Sequence, residues 1–140
     1  MAIFGFMAVE VNDRKLAQRF YAETREWQSE LNSIVIDLMF FQRIIDIYGL
    51  KATDAIERRD VEILKETLKS FLEYRTENQK TRLKVHLDYL QKVVEDRVLL
   101  KDRDLPFKHQ DAEKEMKDFR LNGNELKNDL FQKVEHLKHF

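Results

Sequence analysis

The side chains with the strongest chemical potential in this chain are its four histidines, His86, His109, His136 and His139, in a sequence with no cysteine. Without cysteine there is no thiolate nucleophile, no disulfide framework and no cysteine-based zinc site. A di-iron bundle needs Glu-x-x-His pairs, so that both ligands leave one helix face together. The residues three before the histidines are Leu83, Pro106, Lys133 and His136, and none is Glu. His109 with Glu113 (i, i+4) and His136 with His139 (i, i+3) are spaced to touch one ion. Two ligands do not make a site, and these side chains are expected on solvated helix surfaces. The expectation is therefore no metal and no cofactor. A phosphotransfer histidine would be followed by a small and basic run. His86 precedes Leu-Asp-Tyr-Leu and His136 precedes Leu-Lys-His-Phe, so neither fits.

The segment Arg103-Asp104-Leu-Pro-Phe-Lys-His109 holds the one catalytic candidate pair, Arg103 and His109. It resembles the pattern of small helical ribonucleases of the HEPN type, in which Arg and a polar residue are followed a few positions on by His. The resemblance implies metal-free chemistry, with histidine as acid or base and arginine stabilising a developing phosphorane charge. Pro106 lies inside the segment, where that family has continuous helix. The competing reading is an inter-helix turn with charged flanks.

What must position any of these groups is helix. Residues 12–138 contain one proline, Pro106, and two glycines, Gly49 and Gly123, so few residues interrupt helices there. The apolar fraction of 43% is that of a globular protein, and the charged fraction of 36% suits long thin helices with much surface. The length predicts a single domain, 1–140, with 1–11 as an apolar N-terminal segment. The net charge of −1, with acids and bases interleaved, leaves no field for a phosphate backbone, and no nucleic acid is expected. Ile34 to Leu50 is interrupted by Asp37, Gln42, Arg43 and Asp46, so it reads as a core helix and not a membrane span. The N-terminus lacks the basic start of a signal peptide. A soluble, cytoplasmic protein is the expectation.

The first helix is predicted from Asn12 or Asp13, as cap, to Tyr48, with Gly49 as its C′ residue. Ala17, Phe20, Thr24, Trp27, Leu31, Ile34, Leu38, Phe41, Ile45 and Tyr48 recur by three and four, a heptad seam. Ile36, Met39, Phe40, Ile44 and Ile47 form a second apolar face, which places this half of the helix at the centre of the core. A second helix starts near Thr53 or Asp54, with Asp54 and Glu57 forming a capping box. Its stripe is Val61, Leu64, Leu68, Phe71 and Leu72. When periodicity resumes at Leu83, Leu87, Leu90, Val94 and Val98, the face has rotated by roughly a quarter turn. A turn near 76–79 would give four helices. A continuous helix over 54–103, roughly 75 Å long, would give three but overhang its neighbours. The last helix is expected from about Pro106 to Leu137, on Ala112, Met116, Phe119, Gly123, Leu126, Leu130, Val134 and Leu137. Gly123 either admits a close neighbour or marks a kink.

The fold expectation is thus all-α: an antiparallel up-and-down bundle of four long amphipathic helices, or three. The functional expectation is a non-enzymatic protein–protein interaction module, a scaffold, adaptor or subunit, with a protein partner or a homodimer. The interaction candidates are Ile3, Phe4, Phe6 and Met7, in the apolar segment before the first helix. The alternatives are the ribonuclease-like enzyme using Arg103 and His109, and a bundle binding a hydrophobic ligand, with Met39, Met116 and His86 as its possible contacts.

Overall fold

A computed structural model describes residues 11–98, 100 and 104–137, with the side chain of Leu137 left aside. These residues are helical, with no strand among them: α1 spans Val11–Tyr48, α2 Ala55–Ser70, α3 Thr76–Val94 and α4 Asp104–Leu137. The protein is an all-α helical bundle. A single 3-10 turn, Gly49–Lys51, follows α1, and a π-helical segment, Phe71–Arg75, joins α2 to α3. Ile3, Phe4, Phe6, Met7 and Arg103 lie outside the described residues, as does His139.

The chain divides into two compact units, Met1–Glu30 with Gln79–Lys117, and Leu31–Asn78 with Asp118–Phe140. In the first, Gln79 meets Met116 and His86 meets His109, so α3 and α4 run antiparallel. Ala17, Leu90, Val93 and Leu105 form its buried apolar cluster. In the second, Asp46 meets Lys65, Asp60 meets Lys133 and Asp37 meets Lys127. Those pairings make α2 antiparallel to both α1 and α4, the up-down-up order. The core of this unit contains Leu31, Ile34, Leu38, Ile45, Val61, Leu68, Phe119, Leu126, Leu130 and Val134. Trp27 and Phe41, expected among the buried seam residues, are half-buried.

Counted by regular pieces there are four helices, but no turn separates α2 from α3. Residues 76–79 are helical, and Thr76 has helical dihedrals of φ −66° and ψ −47°. The rotation of the apolar face comes instead from the π-segment. A π-turn holds one residue more than an α-turn, and one residue is about 100° of helix. Buried positions accordingly jump from Leu68 to Thr76, eight residues, then continue at Gln79, Leu83, His86, Leu90 and Val93. The span is also shorter than the 54–103 helix that argued for a turn, because α3 stops at Val94. Its end is a Schellman-type cap: Arg97 N–H donates to Lys92 C=O at 2.8 Å and Asp96 N–H to Val93 C=O at 3.2 Å. Asp96 takes the left-handed conformation there, with φ 58°. Asp is among the residues that tolerate it.

Other ends differ in detail from the sequence reading. α1 is already helical at Val11, so Asn12 and Asp13 lie within it. Asp54 does cap α2, accepting from Ile56 N–H at 2.7 Å and Glu57 N–H at 3.4 Å. Glu57 does not close a capping box, because its carboxylate turns to His136 at 2.9 Å. Gly49 has no positive φ. Its role is close approach, since a Cβ there would lie 2.9 Å from Val61 Cγ1. Gly123 is a close approach too, buried in an unbroken α4, where a Cβ would meet Ile34 Cγ2 at 3.0 Å.

Candidate functional site

Two features stand out, one in each unit. The first is a line of three titratable side chains in the unit formed by Met1–Glu30 and Gln79–Lys117. His109 lies on α4, seven residues before Met116, and therefore on the same inward stripe. His86 lies on α3 between Leu83 and Leu90, at the spacings of three and four that keep a residue on the buried face. His109 was expected on a solvated surface, yet it is buried at 4% exposure, and His86 is buried at 7%. His86 also lies eighteen residues, five whole helical turns, after Leu68.

His86 Nε2 lies 2.9 Å from His109 Nδ1, and His109 Nε2 lies 2.7 Å from Glu23 Oε2. Glu23 is half-buried on α1. Phe20 and Trp27, one turn to either side of it, stack on the His109 ring at centroid distances of 3.7 and 4.9 Å. Trp27, expected to serve only packing, thus also orients a histidine. The hydrogen-bond directions follow from the chemistry. An ionised Glu23 can only accept, so Nε2 of His109 carries its proton. In the tautomer whose His109 Nδ1 is the acceptor, Nε2 of His86 donates to it. The lone pair left over is on Nδ1 of His86. Burial, with His109 and Lys108 nearby, lowers His86 to about 4, so it is neutral at pH 7.

Both ring nitrogens of His109 are engaged, and the ring is covered on its faces. In this arrangement it offers no nitrogen to an outside substrate. Glu113, the other member of the i, i+4 pair, is turned to Lys117 at 3.6 Å. No group of three or more His, Asp or Glu is placed to hold a metal ion among the described residues. Of the three contacts considered for a hydrophobic ligand, Met39 is exposed, while Met116 and His86 are buried. Met116 accepts a long contact of 3.9 Å from Gln79 Nε2. Beside the histidines, between α3 and α4, is a cavity of about 310 Å³, with His86, Tyr89 and Lys108 among its lining residues.

The second feature is the outer face of α1 in the other unit. Ile36, Met39, Phe40 and Ile47 are exposed at 66, 45, 58 and 62%, and Leu50 just beyond at 85%. This corrects the expectation that the second apolar face sits at the centre of the core. Within this unit α1 packs through its Leu31–Leu38–Ile45 side, and no neighbour among the described residues of the unit covers the opposite side. No described helix is long and apolar enough to cross a membrane.

No protein-family model matches the chain, and no significant match exists among curated proteins or solved structures.

Proposed function

We propose that the protein is a non-enzymatic, cytoplasmic interaction module, a self-associating scaffold or subunit, and that a second copy docks on the outer face of α1. The exposed stripe of Ile36, Met39, Phe40, Ile47 and Leu50 carries this reading. Its spacing is that of a helix seam that packs on another helix. Contiguous apolar surface of this kind marks interaction sites on soluble proteins.

Charge favours a second copy as the occupant. Arg43 lies within the stripe and has no partner among the described residues. Asp46 follows it three residues on, held only loosely by Lys65 at 3.7 Å. Two α1 helices crossing antiparallel, with a two-fold axis between residues 44 and 45, set each Arg43 against Asp46 of the other copy. The same register sets Met39 against Leu50. Such a self-complementary patch is what a symmetric dimer requires. Engagement of both His109 nitrogens favours this reading over the ribonuclease-like one. The balanced net charge favours a protein partner over nucleic acid.

Sedimentation tests the reading. The parent should be dimeric at tens of micromolar, and Phe40→Glu with Ile47→Glu should be monomeric with an unchanged helical spectrum. Arg43→Asp should weaken the dimer, and adding Asp46→Arg should restore it. A monomeric parent overturns the proposal. A dimer indifferent to all four substitutions moves the interface elsewhere, with the segment containing Ile3, Phe4, Phe6 and Met7 as the next candidate.

A further inference from the structure

The cavity between α3 and α4 is independent of the α1 stripe. At about 310 Å³ it is at the small end of ligand sites. Val85, Ala112 and the Tyr89 ring give it apolar walls, and its polar lining is Thr81, Arg82, His86, Lys108, Asp111 and Glu115. His86 is more than nine-tenths buried, and its Nδ1 has no hydrogen-bond partner among the described residues. The Lys108 ammonium stands 4.9 Å from the Tyr89 ring centroid and has no carboxylate partner among the described residues. Arg82 and Glu115, also at the cavity, neutralise each other at 3.1 Å. The site thus offers an apolar slot for one ring, an open acceptor and a cation without a carboxylate partner.

We propose that this cavity binds a small hydroxy-aromatic ligand, a phenol, whose hydroxyl donates to Nδ1 of His86 and whose oxygen is drawn toward Lys108. The competing chemistries fit less well. A carboxylic acid is already ionised at neutral pH and has no proton to give that nitrogen. An aliphatic alcohol donates but never supplies the charge that Lys108 lacks. A phenol does both.

The relay gives the proton somewhere to go. The O–H bond of the phenol breaks as Nδ1–H forms on His86. The Nε2–H of His86 breaks as Nδ1–H forms on His109. His86 ends neutral in its other tautomer, and the hydrogen bond between the histidines reverses direction. The positive charge rests on His109, where Nε2–H still donates to the Glu23 carboxylate and the faces of Phe20 and Trp27 favour a cation. It does not rest on His86, which is buried beside Lys108. The phenolate remains near the Lys108 ammonium, and total charge is unchanged. Asp111 opposes this step, because its carboxylate repels the anion.

The probe is 4-nitrophenol, whose phenolate absorbs visible light and whose phenol form does not. Equilibrium dialysis with the full chain reads binding, and absorbance reads ionisation. The parent should bind saturably, with a larger ionised fraction bound than free. Lys108→Met and Ala112→Leu, which removes the cation or fills the slot, should each weaken binding by about tenfold or more. Asp111→Asn should tighten it. Glu23→Gln keeps an acceptor for His109 but removes the charge, so it should retain binding and lose the added phenolate band. Lys108 is exposed, so its variant leaves the fold intact for the comparison. Absence of saturable binding at millimolar probe overturns the proposal. So does equal binding by Lys108→Met and Ala112→Leu, which marks nonspecific adsorption. An undiminished band in Glu23→Gln overturns the proton step.

Discussion

The unit formed by Met1–Glu30 and Gln79–Lys117 and the unit formed by Leu31–Asn78 and Asp118–Phe140 are each built from segments of the same long helices, yet they place polarity differently. Among the described residues, the first buries Thr24, Gln79, His86 and His109 and exposes the large apolar residues Val11, Val85 and Phe107. The second, among its described residues, buries only Thr76 of this kind and leaves Ile36, Met39, Phe40, Ile47, Leu50, Ile56, Ile63, Tyr74, Leu121 and Phe131 in contact with solvent. Buried polar groups must be paired, so they reward a particular alignment of helices and penalise slipped ones. Thr24 illustrates how they are satisfied, donating to Phe20 C=O at 2.7 Å. An apolar core rewards burial in any alignment that fills space. The first unit therefore spends its seam on specificity, and the second leaves an outer face free for contact.

The largest effect separating the two should come from truncation in the apolar core. Leu38 is fully buried, and Leu38→Ala should cost about 2–5 kcal/mol in denaturant unfolding. A loss below about half a kcal/mol would place this face outside the core and erase the contrast.

Next comes the relay. His86→Leu leaves Nδ1 of His109 buried without its donor and should cost about 1–3 kcal/mol. Adding His109→Leu should recover most of that, because no orphaned group remains and Glu23 still reaches water. A double variant as costly as the two singles summed would show that the histidines are not coupled.

A smaller effect should appear with pH. His86 is held at about 4 in the fold against 6.5 when exposed. Between those values the unfolded chain binds a proton that the fold excludes, so this group makes stability rise with pH up to 6.5 and stay level above. Allowing for solvent screening, the span is about 2 kcal/mol. Unfolding of the parent minus that of His86→Leu, measured from pH 4 to 7, isolates it. An identical slope in both would assign the dependence to carboxylates.

The smallest effect belongs to the outer face. At concentrations where the chain is monomeric, Ile36→Ser should change unfolding by less than about 0.5 kcal/mol. A larger loss would mean that the side chain is covered within the chain.

The heptad seams of α1 and α4 were legible because their buried residues are apolar and regularly spaced. The second face of α1 was misjudged for an identifiable reason. Periodicity shows that Ile36, Phe40 and Ile47 share a side, but not whether the chain contains anything to cover it. The relay was hidden because Glu23, His86 and His109 are far apart in sequence, and no local motif links them. A signal did exist for His109: extending the stripe of α4 back by seven from Met116 lands on it. His86 had one too: it lies five whole helical turns after Leu68, and at spacings of three and four from Leu83 and Leu90.

That extra residue makes the segment Phe71–Arg75 a phase adjuster. Deleting a single residue within it, Glu73 for instance, leaves the composition almost untouched and gives the helix the option of regular winding. Every later side chain of α3 would then keep its phase relative to α2, because a regular turn with one residue fewer sweeps about the same angle as the π-turn. His86 and Gln79 would stay on the buried stripe. Regular winding without the deletion would instead turn them by about 100° and bring Asn78 and Arg82 toward the buried positions. A homologue lacking one position there could keep its buried pattern from Thr76 onward.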